Sequence, residues 1–334
     1  MAYKVSMDDI KKLRAMTGAG LADVKKALTE AEGDFDKAKE LLRERGLAIA
    51  AKRSDRETSN GCVLVKKDGN FAAMIALKCE TDFVANGADF IALTQNILDA
   101  AIAAKAKSLE EVKELTLADG QKVQDAVTQR SGITGEKMEL DGYLTLEGEN
   151  IEVYNHMKKN TLCTMVQTNK LAEDAGHKVA MQVAAMKPVA LDAPSMPQSI
   201  LDEEYKVAVE KTKEEQVSKA VDNALKKAGI NPAHVDSEDH MESNMAKGWI
   251  TAEDVAKAKE IIATVSAEKA ASLPAQMVEN IAKGRVAKFL KENCLVDQEF
   301  QFGDGDKATV AQWLAAQDKE LKVVAFQRFT LVAD

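Results

Sequence analysis

Histidine and cysteine are the scarcest reactive side chains in this 334-residue chain, with four of each. His156, His177, His234 and His240 form no HExxH pair, the spacing that places two zinc ligands on one helical face. His234 and His240 fall near Asp236, Glu238 and Asp239, residue types that could ligate a metal, although a solvated polar loop is the plainer reading. Cys62, Cys79, Cys163 and Cys294 are widely separated and make no CxxC pair; two lie in apolar strand patterns, so buried reduced thiols are expected. Gly303-Asp304-Gly305-Asp306 lacks the Lys-Ser/Thr that would hold a phosphate and its metal, and reads as a turn. No Ser or Cys sits in a nucleophile motif. The expectation is a binding protein, with no catalytic residue, no metal site and no cofactor of its own.

The stretch that could do binding chemistry is Lys78-Cys79-Glu80-Thr81-Asp82-Phe83-Val84-Ala85-Asn86. It follows an apolar run, Phe71 to Leu77, that reads as a buried strand, and precedes a helical pattern over 88–104. Thr81 or Asp82 suits the helix N-cap. Phe83 and Val84 are out of place at a chain reversal. Phe83 could fold back as a hydrophobic staple on the following helix. Alternatively, Asp82 and Phe83 project together as a wedge aimed at another protein.

The elements that must position this stretch are read from the rest of the chain. Length predicts two or more domains. With 46% hydrophobic and 30% charged residues, the composition is that of a helix-rich globular protein. No apolar run approaches the ~20 residues of a membrane span. Met1-Ala2-Tyr3-Lys4 lacks an apolar signal core, so a cytoplasmic location is expected. A net charge of −9 without a basic block argues against direct nucleic-acid binding.

Residues 1–53 predict a module of three short helices. Ser6 caps the first, whose apolar face is Ile10, Leu13 and Met16. Thr17-Gly18-Ala19-Gly20 interrupts it, and Leu21, Val24, Ala27 and Leu28 line the second. Asp34 caps the third, which Gly46 is expected to stop. A charged linker leads to the first core subdomain, 54–140. Asp68-Gly69 predicts a hairpin turn there, and short helices over 108–131 are expected to end near Gly132. A second core subdomain begins over 141–198, with strands at Tyr143–Leu146, Ile151–His156 and Leu162–Gln167 and a helix from Leu171 to Met186. Residues 199–272 predict a protruding antiparallel helical hairpin with a thin apolar seam. Such a hairpin suits contact with a partner or self-association with a second copy. Residues 273–334 return to the second subdomain through one more helix, a short helix holding Trp313 and Leu314, and a final strand over Val323–Val332. The fold class is α+β.

The order hairpin, apolar strand, polar junction, Ala-rich helix occurs twice, which points to a duplicated subdomain. At the second junction, Thr168-Asn169-Lys170-Leu171 stands where the first has Glu80-Thr81-Asp82-Phe83-Val84. If the fold needs only a cap there, the added acid and Phe of the first copy serve function.

Thr17 to Leu28, with Gly33 to Ala38, is similar to the N-terminal module of bacterial elongation factor Ts, which resembles a ubiquitin-associated three-helix domain. Cys79-Glu80-Thr81-Asp82-Phe83-Val84-Ala85 resembles the same family's signature, and His177 to Pro188 a third block in its second core half. These matches run in order over most of the chain. The 199–272 hairpin looks longer than in many members. Some members carry a further C-terminal helix that touches the partner, and this sequence ends at Asp334, just after its last predicted strand.

The resemblance implies a guanine nucleotide exchange factor for elongation factor Tu that drives out GDP and is displaced as GTP loads. It implies that Thr17, Gly18, Ala19, Gly20 and Leu21 dock on the partner's GTPase domain. Thr81, Asp82, Phe83 and Val84 would disturb its Mg²⁺ site, while His177, Met181 and Met186 would meet another of its domains. The metal and nucleotide then belong to the partner. The alternative is a ubiquitin-associated-type adaptor that binds through residues 1–53 and has no exchange activity.

Overall fold

The computed structural model describes residues 4–331 except Ser54, Asp304 and Asp306. The chain divides into two compact units, residues 1–191 with 299–334, and residues 192–298.

The first unit opens with α1 (Met7–Thr17), α2 (Leu21–Glu30) and α3 (Phe35–Ala51). The Ser6 hydroxyl accepts from the Asp9 amide, and one Asp34 oxygen accepts from the Asp36 and Lys37 amides. Ile10, Leu13, Val24, Ala27, Leu28 and Ala38 are buried together. Met16 and Leu21 are exposed instead, on either side of the loop between α1 and α2. Gly46 does not stop α3, which continues to Ala51.

A three-stranded antiparallel sheet follows, ordered β1 (Asn60–Asp68), β2 (Phe71–Cys79), β3 (Met138–Glu147). Asp68 pairs with Phe71, so the hairpin turn is Gly69-Asn70, one residue later than the Asp-Gly pair suggested. Between β2 and β3 lie α4 (Asp82–Ala85), α5 (Ala88–Ala104), α6 (Leu109–Glu114) and α7 (Val123–Thr134). β2 is buried on both faces, as its unbroken apolar run requires. Ile75 and Leu77 share a core with Phe90, Ile97 and Leu98 of α5. On the other face, Met74 and Ala76 meet Cys163 and Met165 of a second sheet.

That second sheet is ordered β4 (Ile151–Asn155), β5 (Leu162–Thr168), β6 (Val323–Thr330). α8 (Glu173–Met186) packs on it, and the Thr164 hydroxyl of β5 donates to the Ala180 carbonyl at 2.9 Å. The strand holding Tyr143–Leu146 pairs with β2 of the first sheet, not with β4 or β5 as the sequence suggests. It begins at Met138 and crosses an irregularity where Ala76 faces Gly142 and Leu77 faces Leu140, which hides its continuity. A Cβ at Gly142 would collide with the Phe329 ring, so glycine there seats β6 against the first sheet. His156 lies just past β4 in a short 3₁₀ turn. Each central strand carries its register shift near the C-terminal end, at Ala76/Leu77 and at Gln167/Thr168.

The second unit holds α9 (Gln198–Lys227), α10 (Glu238–Ala246), α11 (Ala252–Ser272) and α12 (Ala275–Asn293). α9 and α11 form the expected hairpin around Val221, Leu225 and Ala258, and a reciprocal Thr251–Asp254 capping box starts α11. The polar stretch read as a loop contains α10, capped by Ser237. His240 pairs with Asp236 at 2.5 Å while His234 stacks on Trp249, so the two imidazoles have separate partners. Among the described residues no group of His, Cys, Asp and Glu could hold a metal ion. Arg285 of α12 pairs with Glu215 of α9 at 2.6 Å.

α13 (Val310–Gln317) places Trp313 against Phe300 in the first unit. Asp304 and Asp306 of the expected turn, and Val332 at the end of the expected last strand, lie outside the described residues. All four cysteines are free and buried. Burial raises the Cys62 thiol to about 11 and, with Glu136 and Glu80 nearby, the Cys79 thiol to about 12. No helix of the described residues is long and apolar enough to cross a membrane.

Candidate partner-binding site

The first junction is a one-turn helix, α4, set between β2 and α5. Thr81 is its N-cap, and its hydroxyl accepts from the Val84 amide at 3.3 Å. Two carboxylates fasten the turn to the start of β3 in opposite directions. Glu136 accepts from the Thr81 amide at 3.1 Å and from its hydroxyl at 2.7 Å. Glu80 accepts from the Lys137 amide at 2.6 Å and from Arg56 at 2.9 Å. The Lys137 amide, then the Arg56 and Arg53 guanidiniums, hold the Glu80 carboxyl below its ordinary range.

On this anchored turn the four side chains part company. Val84 packs on the core behind β2, and Ala85 is buried. Asp82 is exposed in the first turn, and Phe83 is 86% exposed. Phe83 therefore does not staple onto α5, where Phe90 already fills the core. The turn thus holds a phenyl ring in water beside an acid, on backbone fixed by two carboxylates.

The N-terminal loop is a second exposed element. Gly18 ends α1 in the left-handed conformation, φ +68°, which glycine adopts without strain. The Thr17 hydroxyl donates to the Leu13 carbonyl, and Ala19 is buried in the module core. Those two residues set the path of the loop. Gly18, Gly20 and Leu21 form its outer surface, with Met16 exposed beside them. Sequence periodicity missed Met16 because an apolar residue at helical spacing reads as core.

In the second half, His177 is exposed and meets the Tyr154 ring edge-on at 5.4 Å. Met181 is half-buried on the same face of α8, and Met186 is exposed at its C-terminal end. Leu171 is 75% exposed at the second junction. The sequence reading treated that junction as a cap alone, although the apolar side chain at a chain reversal was the available signal.

The fold and its exposed elements define an α+β scaffold that presents apolar side chains on fastened turns, the construction of a protein-binding factor. Comparison with known sequences sharpens that class. The sequence model of the family described as "Elongation factor TS" matches residues 80–231 and 209–333. The chain is 66% identical to elongation factor Ts of Phocaeicola vulgatus over 330 residues, 99% of each chain. It is 64% identical to that of Bacteroides thetaiotaomicron and 40% identical to that of Porphyromonas gingivalis, each over 331 residues and 99% of both chains. The chain belongs to the elongation factor Ts family of translation elongation factors.

Proposed function

We propose that the chain is a guanine nucleotide exchange factor for elongation factor Tu, acting in the cytoplasm without nucleic acid or a cofactor of its own. It binds the GDP-bound and nucleotide-free partner and leaves as GTP loads. Exchange of this kind requires tighter binding to the nucleotide-free state than to the GDP state, which by reciprocity weakens GDP. The loop at Thr17–Leu21 docks on the GTPase domain. Phe83 inserts between helices near the nucleotide, and Asp82 disturbs the contacts around the partner's Mg²⁺. Magnesium demands near-ideal octahedral oxygen ligands, so a small displacement of that shell loosens metal and phosphate together. His177, Met181 and Met186 contact a different domain of the partner.

The observation that carries this reading is Phe83, 86% exposed on a turn fastened by Glu136. Burying such a ring supplies roughly 1.5–3 kcal/mol, and a tenfold change in affinity takes about 1.4 kcal/mol. Phe83 thus contributes about one to two orders of magnitude, and the remaining surface supplies the rest. The test is release of a fluorescent GDP analogue from purified elongation factor Tu of the same organism. A concentration-dependent acceleration by the full chain is expected. No acceleration by folded protein would reject the reading and favour an adaptor working through residues 1–53.

A further inference from the structure

The docking loop and the Phe83 turn come from distant parts of the sequence, and α7 lies between them. α3 crosses α7 where Gly46 meets Gly132. Both glycines sit inside helices, where glycine is disfavoured relative to alanine. Neither ends its helix, because α3 runs on to Ala51 and α7 stops at Gly135, which has its own left-handed φ of +70°. Close approach accounts for them. A Cβ on Gly132 would lie well under 3.0 Å from the Gly46 Cα, against backbone that cannot step aside. A Cβ on Gly46 would meet nothing nearer than 3.6 Å, an ordinary van der Waals distance.

Polar fasteners flank the crossing. Arg43 of α3 pairs with Asp125 of α7 at 3.3 Å, and Arg53, just past α3, lies 3.7 Å from Glu80 beside the Phe83 turn. α7 also reaches both exposed elements. Its Ile133 and Arg130 lie against Gly18 of the loop. Arg130 pairs with Asp89, in the first turn of α5, at 2.7 Å. Arg130 and Thr134 share a surface cleft of about 270 Å³ with Phe83.

We infer that the Gly46–Gly132 crossing is a positioning device that fixes the docking loop relative to Phe83, so that the partner meets both as one pre-set surface. The inference rests on the exchange reading and extends it. Two small contacts on one rigid body bind with a high effective concentration for the second once the first is made. Separating the helices removes that advantage without touching either contact.

The test compares Gly132→Ala with Gly46→Ala in the full chain, each measured by GDP-analogue release as a function of factor concentration and by ¹⁵N relaxation of the free protein. Gly132→Ala should raise the half-saturating concentration about tenfold, and residues 6–51 should tumble independently of the core. Gly46→Ala should stay within twofold of the parent and tumble as one body. A coupling cycle gives a readout that mere destabilisation would not move. In the parent, where both contacts are made together, the Leu21→Ala and Phe83→Ala losses should multiply, whereas in Gly132→Ala, where either contact can be made without the other, they should combine non-multiplicatively. Should Gly132→Ala not fold, Asp125→Ala loosens the same crossing from the side and should raise the half-saturating concentration two- to threefold. Gly132→Ala or Asp125→Ala indistinguishable from the parent, or Gly46→Ala as damaging as Gly132→Ala, would overturn the positioning role. A parent that does not accelerate release would reject the exchange reading instead, and the relaxation data would still decide whether the crossing holds the module.

Discussion

The two junctions that follow the central strands differ in how they are fastened and in what they expose. After β2, carboxylates hold the backbone: Glu136 grips Thr81, and Glu80 grips Lys137. After β5, an amide side chain does so: Asn169 donates to the Glu320 carbonyl at 2.7 Å and accepts from the Lys322 amide at 2.8 Å. The first junction forms a capped helical turn carrying Asp82 and Phe83. The second enters α8 without a side-chain cap, and Lys170 is paired with Asp318 at 2.9 Å. Both leave an apolar side chain in water, Phe83 and Leu171. Exposure therefore does not set the first junction apart. The exposed acid beside Phe83 and the separately capped turn do, and the proposed role of Phe83 rests on them.

The largest expected effect comes from removing the ring. Phe83→Ala should slow catalysed GDP release ten- to hundredfold, the equivalent of roughly 1.5–3 kcal/mol of lost burial. Freeing the turn should cost less. Glu136→Gln weakens the grip on Thr81, and a fall of about fivefold in release rate is expected, in line with the ~1 kcal/mol of a lost cap. Leu171→Ala should leave the maximal rate within about twofold and act on the half-saturating concentration, since a solvated side chain away from the acid adds area and little else. Concentration series for the three variants check all of this together.

The smallest effect is one of pH. The Glu80 carboxyl titrates below its ordinary value near 4.5, so its fastening is complete above that pH and is lost as the pH falls through the lower, folded-state value. Glu80→Gln should melt below the parent at pH 7, and the gap should close as the pH drops under about 4.5. A gap that is constant with pH would mean that the carboxylate's charge plays no part in holding the turn.

Much of this architecture is legible in the sequence. Ser6, Asp34 and Thr251 cap the helices they precede, and of the α5 pattern at Phe90, Leu93, Ile97 and Ala101 all but the half-buried Leu93 are buried. Local chemistry determines such features. The failures at Gly46, Gly132 and β3 are non-local. Gly46 and Gly132 each resemble a helix stop when read alone, and only their mutual contact explains them. The strand from Met138 looks interrupted because its irregularity at Gly142 accommodates Phe329, almost two hundred residues later. At the site, the sequence points to Phe83 by its oddness at a chain reversal. The grip of Glu136 on Thr81 spans 55 residues and leaves no local signal.

The most direct test sets Phe83→Ala beside Leu171→Ala in one stopped-flow series of GDP-analogue release from elongation factor Tu, with a thermal melt of each sample. Both side chains are mostly in water, so both variants should melt within about 1 °C of the parent. Only Phe83→Ala should lower the maximal release rate, by tenfold or more. Equal rates for the two variants, or a marked fall in the melting temperature of Phe83→Ala, would contradict the account, because Phe83 would then be either one apolar contact among several or a part of the core.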